Sequence, residues 1–362
     1  MTHHHRPPGP CPVHNLLCHC AGLARGDRLL IIAEEAQSQH YCPALAAQVQ
    51  DGARAMGIDA RIMTIPFSAE ISTLPPGLLD ALETVDCAIF FARLGDQLRF
   101  SGLGSGARII VSYALDQGMF NSHFGQAHYG AFDALKSAID RMFGQARHIR
   151  VTCPRGTNFE GPGDPALLAQ ATDVRIRRFP MSVFAPIPAT AFSGQAVMTQ
   201  FITGTCSRFY APYAAPLAGS LTAHFTGNCL TGFSGDADDV RAAEDHYDTV
   251  AARFGIDRGY VHSWHAGIHP GCAYERPAAA NYERWCSGAF GNPRLLHFHT
   301  CGAYAPGEIS WNILDPTILV DDIPIWDRGR LHPERIPGGA EILADFPCAA
   351  MSFAHPNPAV GL

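Results

Sequence analysis

The stretch Gly259-Tyr-Val-His-Ser-Trp-His-Ala-Gly-Ile-His-Pro-Gly-Cys272 brings His262, His265, His269 and Cys272 close together in the chain. A second run, Leu295-Leu-His-Phe-His-Thr-Cys301, adds His297 and His299. Imidazole suits zinc, iron or copper, and thiolates such as those of Cys272 and Cys301 bias a site towards zinc or copper. If the second run is a strand, its period of two places His297 and His299 on one face and Phe298 on the other. Two imidazoles on one face can share one ion. Gly267 and Pro270 argue against a continuous helix through the first run, so a strand or turn leading into a loop is expected there. The bland alternative is that these histidines make ordinary hydrogen bonds or line a pocket without metal. With 18 His and 12 Cys in the chain, some clustering arises by chance. Imidazoles also exchange protons near neutrality, so the same residues can serve as acid and base.

Other residue groups carry weaker chemistry. Cys11, His14, Cys18, His19 and Cys20 are zinc-ligand types. The segment Asn15 to Leu23 also reads as a short helix with an apolar face, ended near Gly22 or Gly26, and no second paired motif answers it. A structural role is expected. Cys301 beside His299 has the makings of a nucleophile and base but lacks a third, orienting group. Glu308 is a candidate acid or base, whereas Asp315 reads as a surface charge and Tyr274 and Tyr304 as core. Ser101-Gly-Leu-Gly-Ser-Gly-Ala107 precedes a strand instead of joining a strand to a helix, the wrong order for a dinucleotide fingerprint, so no nucleotide cofactor is expected.

The elements that must position these residues follow from the apolar pattern. Runs at Leu29–Ala33, Ala60–Ile65, Cys87–Ala92, Arg108–Tyr113 and His148–Cys153 suit parallel strands covered on both faces, with crossover helices at Cys42–Met56, Pro76–Val85 and Gly130–Phe143. Beyond Cys153 come shorter runs, with strands expected at Gln195–Ile202, Ser220–Phe225, Leu295–Thr300, Ile309–Leu314 and Thr317–Val320, one helix at Ala237–Phe254, and a loop-like tail from Pro347. The fold class is α/β: an N-terminal, doubly wound, Rossmann-like parallel-sheet domain over residues 1–150 and a C-terminal mixed α+β domain of catalytic type over 151–362. A chain of 362 residues suits two such cores.

Composition narrows the partners. With 33 acidic against 26 basic residues the net charge is -7, and no basic stripe is available to displace counterions from phosphates, so nucleic acid is not an expected partner. No apolar run reaches the roughly 18 to 20 residues that span a bilayer, and the N-terminus lacks the order of a secretory signal. A cytoplasmic protein with cysteines mostly as thiols is expected, taking a small-molecule substrate, with a homodimer allowed.

The order Val151-Thr-Cys-Pro-Arg-Gly-Thr-Asn158, Phe179-Pro-Met-Ser-Val-Phe-Ala-Pro186, Gly291-Asn292 and Glu308-Ile-Ser-Trp-Asn-Ile-Leu-Asp-Pro-Thr-Ile-Leu-Val-Asp-Asp-Ile-Pro-Ile-Trp-Asp-Arg-Gly-Arg330 resembles the M29-type metallopeptidases. More closely, it resembles their relatives, the 2,5-dihydroxypyridine 5,6-dioxygenases, which use non-haem Fe(II). The likeness spans nearly the whole chain and rests on the order of motifs that are each weak alone. The family's usual ligands are altered: its His-x-Asp pair reads Ser310 and Asn312 here, and Ser182 and Val183 stand where it supplies a Glu. The resemblance implies an ancestral cleft lined by the two histidine runs and a non-haem, metal-dependent oxygenase-like enzyme acting on a small polar or aromatic molecule. Metal ligands would come from His262, His265, His269, His297 and His299, with His265, His297 and Glu308 in the chemistry. Fe(II) is the implied metal, with Zn or Cu as alternatives. An aminopeptidase-like hydrolase, a metal-free enzyme and a small-molecule binding protein are the competing readings.

Overall fold

The computed structural model describes residues 11–70, 74–99, 106–166, 176–304 and 306–362. Most of the glycine-rich segment at 101–107 lies outside them. The first four apolar runs form β1 (Arg28–Glu34), β2 (Asp59–Ile65), β3 (Cys87–Phe91) and β4 (Arg108–Ser112), all parallel. Every residue of β3 is buried, as a strand covered on both faces requires. Helices Ala44–Ala55, Leu78–Glu83 and Tyr129–Gln145 form at the expected crossover positions.

The fifth run departs from expectation. β5 (Ile149–Thr152) pairs antiparallel with β6 (Asn158–Gly161), and the parallel sheet is completed instead by β7 (Ile176–Phe179) alongside β4. The reason is readable in β5 itself. Ile149 and Val151 are buried while Arg150 is exposed, the one-sided alternation of an antiparallel strand. The parallel sheet runs β2-β1-β3-β4-β7.

The rest of the chain builds a large antiparallel sheet. It contains β8 (Ile187–Pro188), β9 (Ser193–Gly204), β10 (Ala214–Thr226), β11 (Cys229–Gly235), β12 (Val261–Ala266), β13 (Leu295–Thr300), β14 (Ile309–Leu314), β15 (Thr317–Val320), β16 (Ile323–Asp327) and β17 (Arg330–Leu331). Helix Ala237–Phe254 starts where the Asp236 carboxylate accepts the Asp238 N–H and stops at Gly255, whose φ of 64° suits a residue without Cβ. The tail expected as loop instead contains helix Pro347–Ala354, with proline in its first turn, where no N–H is needed.

Registry across β12, β13 and β14 decides what each face carries. Trp264 lies opposite Phe298, which lies opposite Trp311, and this aromatic rung packs with Phe159, Phe192 and Phe225 in the core. The other face carries His265 opposite His297 opposite Asn312, and beside them Ser263 opposite His299 opposite Ser310 opposite Thr203. These two rungs are polar and buried.

Helix Tyr282–Ala289 ties the two sheets together. Arg93, just beyond β3, pairs with Glu34 at 2.7 Å and with Glu283, while Arg284 pairs with Asp116 at 2.6 Å and donates to the His40 carbonyl. Close backbone approach also matters: a Cβ on Gly267, which follows β12, would lie 2.2 Å from the Asn292 carbonyl oxygen. Gly267→Ala is therefore expected to lower stability in urea denaturation by about 2 kcal/mol or more. Gly106→Ala, where a Cβ meets nothing within 4 Å among the described residues, is the control and should fall within about 0.5 kcal/mol of wild type.

Candidate metal centre

Three of the five sequence-selected histidines converge. The Nε2 atom of His265 lies 2.6 Å from Nε2 of His297 and 3.1 Å from Nε2 of His299. Among the described residues these three form the one group of at least three His, Cys, Asp or Glu side chains whose ligand atoms all lie within 4.8 Å of one another. Strand geometry explains it. His297 and His299 share a face at i, i+2, and antiparallel pairing sets His265 directly opposite His297.

The tautomer of His265 is fixed by its surroundings. Its Nδ1 lies 3.0 Å from the Phe184 carbonyl oxygen, which can only accept, so Nδ1 carries the proton and Nε2 presents a lone pair. That single lone pair faces two other ring nitrogens, and it cannot accept a strong hydrogen bond from both. A cation among the three meets all of them. The Phe184 contact is the outer hydrogen bond that metal-binding histidines use to hold ring orientation. Phe290 does the same for His297 by stacking, with ring centroids 4.0 Å apart and planes 15° apart. Nδ1 of His297 and Nδ1 of His299 are buried without partners.

Burial keeps the imidazoles neutral. It drives His265 down to about 3 and holds His297 and His299 well below the ordinary histidine range, with the Arg178 charge adding in the same direction on all three. Neutral rings present lone pairs to a metal, so the donor set fits a borderline ion such as Fe(II), Zn(II) or Cu(II).

The other expected residues fall elsewhere. His262 sits at a β-bulge in β12, where the register slips between Val261 and Ser263. It is half-buried and bonds Ser263 Oγ through Nδ1 at 2.8 Å, standing at the rim of the group. His269, three residues past the end of β12, stands outside the convergence. It stacks on Phe132 with centroids 3.8 Å apart and abuts Phe124, and burial lowers it to about 3. Its Nδ1 accepts the Gly271 N–H.

Glu308 extends the same face beyond Ser310, but its Oε1 accepts from Tyr304 at 2.6 Å and pairs with Arg208 at 3.2 Å. Burial raises its carboxyl, partly offset by the Tyr304 hydrogen bond and Arg208, and its Oε2 has no partner. Burial raises Cys272 and Cys301 to about 12, so these thiols stay protonated and neither reads as an activated nucleophile. Near the N-terminus, Leu16, Leu17 and Cys20 pack into the core as the structural reading expects.

Ser310 and Asn312 hydrogen-bond to each other at 3.0 Å, and Asn312 Nδ2 and Thr203 Oγ1 are buried without partners. Thr203 and Arg178 were not singled out from sequence. No strand is expected at Ile176–Phe179 from the apolar pattern, so the place of Arg178 at the C-terminal end of a parallel strand, where α/β sheets bind ligands, shows only in the fold.

No protein-family model and no curated protein sequence matches the chain. Among solved structures, the 2,5-dihydroxypyridine dioxygenase from Pseudomonas putida KT2440 aligns over 88% of this chain and 96% of its own, with 12% identity and a TM-score of 0.57. AmpT from Thermus thermophilus aligns over 88% of this chain and 98% of its own, with 9% identity and a TM-score of 0.48. The chain thus has the fold that its resemblance to the dihydroxypyridine dioxygenases implies. No helix among the described residues is long and apolar enough to cross a membrane.

The buried neutral histidines set a pH dependence. Below about pH 6.5 the unfolded chain protonates its histidines, whereas the fold keeps His265 and His269 neutral down to about 3. The unfolded state holds more protons throughout that window, so stability is full above it and declines as pH falls. Each such histidine should contribute a slope of about 1.4 kcal/mol per pH unit. Urea denaturation of the metal-free protein between pH 6 and 4 should show a shallower decline for His265→Gln than for wild type; equal slopes would contradict the assignment.

Proposed function

We propose that the chain is a metal-dependent enzyme of the oxygenase type, with His265, His297 and His299 as its metal ligands and a small polar or aromatic molecule as substrate. The observation that carries this reading is the convergence of three buried, uncharged Nε2 atoms from two adjacent strands. Fe(II) is the preferred metal because the fold is shared with a dioxygenase and because three imidazoles without a carboxylate leave coordination positions open. Zn(II) and Cu(II) suit the same donors.

A bound metal of this kind supplies Lewis acidity and, if redox-active, access to O2. The protein does the rest. The Phe184 carbonyl and the Phe290 ring hold His265 and His297 in orientation, and burial keeps bulk water from the ligands. A hydrolase would need a carboxylate or other base beside the metal to activate water. The nearest candidate by sequence, Glu308, is engaged by Arg208 and Tyr304, which favours the oxygenase reading over the aminopeptidase-like one.

The test is anaerobic purification, reconstitution with Fe(II), and metal analysis. Wild type should hold about one ion per chain, and His265→Gln, His297→Gln and His299→Gln should each weaken binding by about 10-fold or more. His269→Gln should leave it unchanged. Retention of metal by all three variants, or its loss only in His269→Gln, would contradict the assignment. Asn312→Asp places a carboxylate opposite His297 and should raise Fe(II) affinity by about 10-fold, read by competition with a chelator.

A further inference from the structure

Arg178, on the parallel sheet, is near enough to His265, His297 and His299 for its charge to act on all three. It lies in β7, paired with Val111 of β4, at the C-terminal end of the parallel sheet. Its guanidinium carbon sits 4.0 Å from the centroid of the Tyr113 ring. Other deeply placed arginines are matched by carboxylates: Arg93 by Glu34 and Glu283, and Arg284 by Asp116. Arg178 is matched by a ring face. Asp96 is near enough to act on it electrostatically, yet that carboxylate takes the Tyr113 hydroxyl and makes no ion pair with Arg178. Arg178 Nε is buried and has no hydrogen-bond partner, while part of the side chain remains accessible.

The facing surface repeats the pattern. Asn312 Nδ2 and the Thr203 hydroxyl are buried without partners on the rungs that carry the histidines. Unsatisfied buried donors are costly and rare in native proteins, so several on one face mark a place where a ligand supplies acceptors. The triad contributes neutral rings and no carboxylate. Arg178 and the histidine face together therefore combine an unpaired guanidinium with excess donors, and with a bound divalent metal the site would be more positive still.

We propose that this site selects a small organic carboxylate, the Arg178 guanidinium taking the carboxylate group and the rest of the molecule lying over the histidine triad. A guanidinium presents parallel N–H groups that match a carboxylate in two-point fashion, which the orphaned Nε leaves open. As a statement of substrate class it rests on the triad being the reaction centre; its charge preference stands on Arg178 alone.

Calorimetric titration of the full-length protein with benzoate and with its neutral isostere benzamide tests it, alongside Co(II) titration followed by visible ligand-field bands. Benzoate should bind wild type at least about 10-fold more tightly than benzamide, and Arg178→Gln should abolish that preference while leaving benzamide binding and the Co(II) spectrum unchanged. Arg178→Lys keeps the charge without the fork and should retain only part of the preference. Equal binding of the two probes by wild type, a comparison that needs no variant, would overturn the proposal, as would an undiminished preference in folded Arg178→Gln. A benzoate preference without Co(II) bands would sink the metal reading and keep the anion site; Co(II) bands without a benzoate preference would do the reverse.

Discussion

The registry of β12, β13 and β14 is the constraint on which everything else depends. Along each strand the side chains alternate faces, so one register places Trp264, Phe298 and Trp311 in the aromatic core and His265, His297 and Asn312 on the opposite side. A slip of one residue would exchange them, driving imidazoles into the core and indoles into the cleft. The rung is held by large buried rings, with Phe298 and Trp311 centroids 5.0 Å apart and Phe159 5.0 Å from Phe298. Aromatic packing on one face thus fixes the positions of the polar atoms on the other. The aromatic rung on one face thereby limits where the histidines on the other can sit.

The polar face does not stabilise the fold. Leaving a buried donor or acceptor unpaired costs about 1 to 3 kcal/mol, and Thr203, His297, His299 and Asn312 each carry such an atom. Apolar groups of the same shape would be neutral or stabilising in their place. Their cost is offset elsewhere, in the aromatic core and in the Glu34–Arg93–Glu283 and Arg284–Asp116 clusters that seat helix Tyr282–Ala289 across the two sheets. The same burial that makes the imidazoles expensive keeps them unprotonated, and unprotonated nitrogen is what a metal ligand must offer. Cost and chemical competence have one cause.

Part of this was legible in the sequence. Period-two spacing in Leu295–Thr300 was enough to put His297 and His299 on one face, and Gly267 with Pro270 was enough to exclude a helix through the first histidine run. Which of His262, His265 and His269 would join them was not legible, because the bulge at His262 and the end of β12 before Gly267 both depend on pairing with distant strands. The apolar content of His148–Cys153 suits a parallel strand, but its one-sided alternation belongs to the antiparallel sheet that β5 joins. Arg178 carries no local signal of an unpaired guanidinium. Only the pairing of β7 with β4 shows that its neighbour is a tyrosine ring and not a carboxylate.

X-ray absorption fine structure of the Zn(II)-loaded protein tests the central claim most directly, since it reads the ligand atoms without a substrate or a variant. Three imidazole nitrogens at about 2.0 to 2.1 Å with a light atom completing the shell are predicted from His265, His297 and His299. A sulfur shell at about 2.3 Å, or a first shell without the multiple scattering of imidazole, would place the metal elsewhere and contradict the assignment.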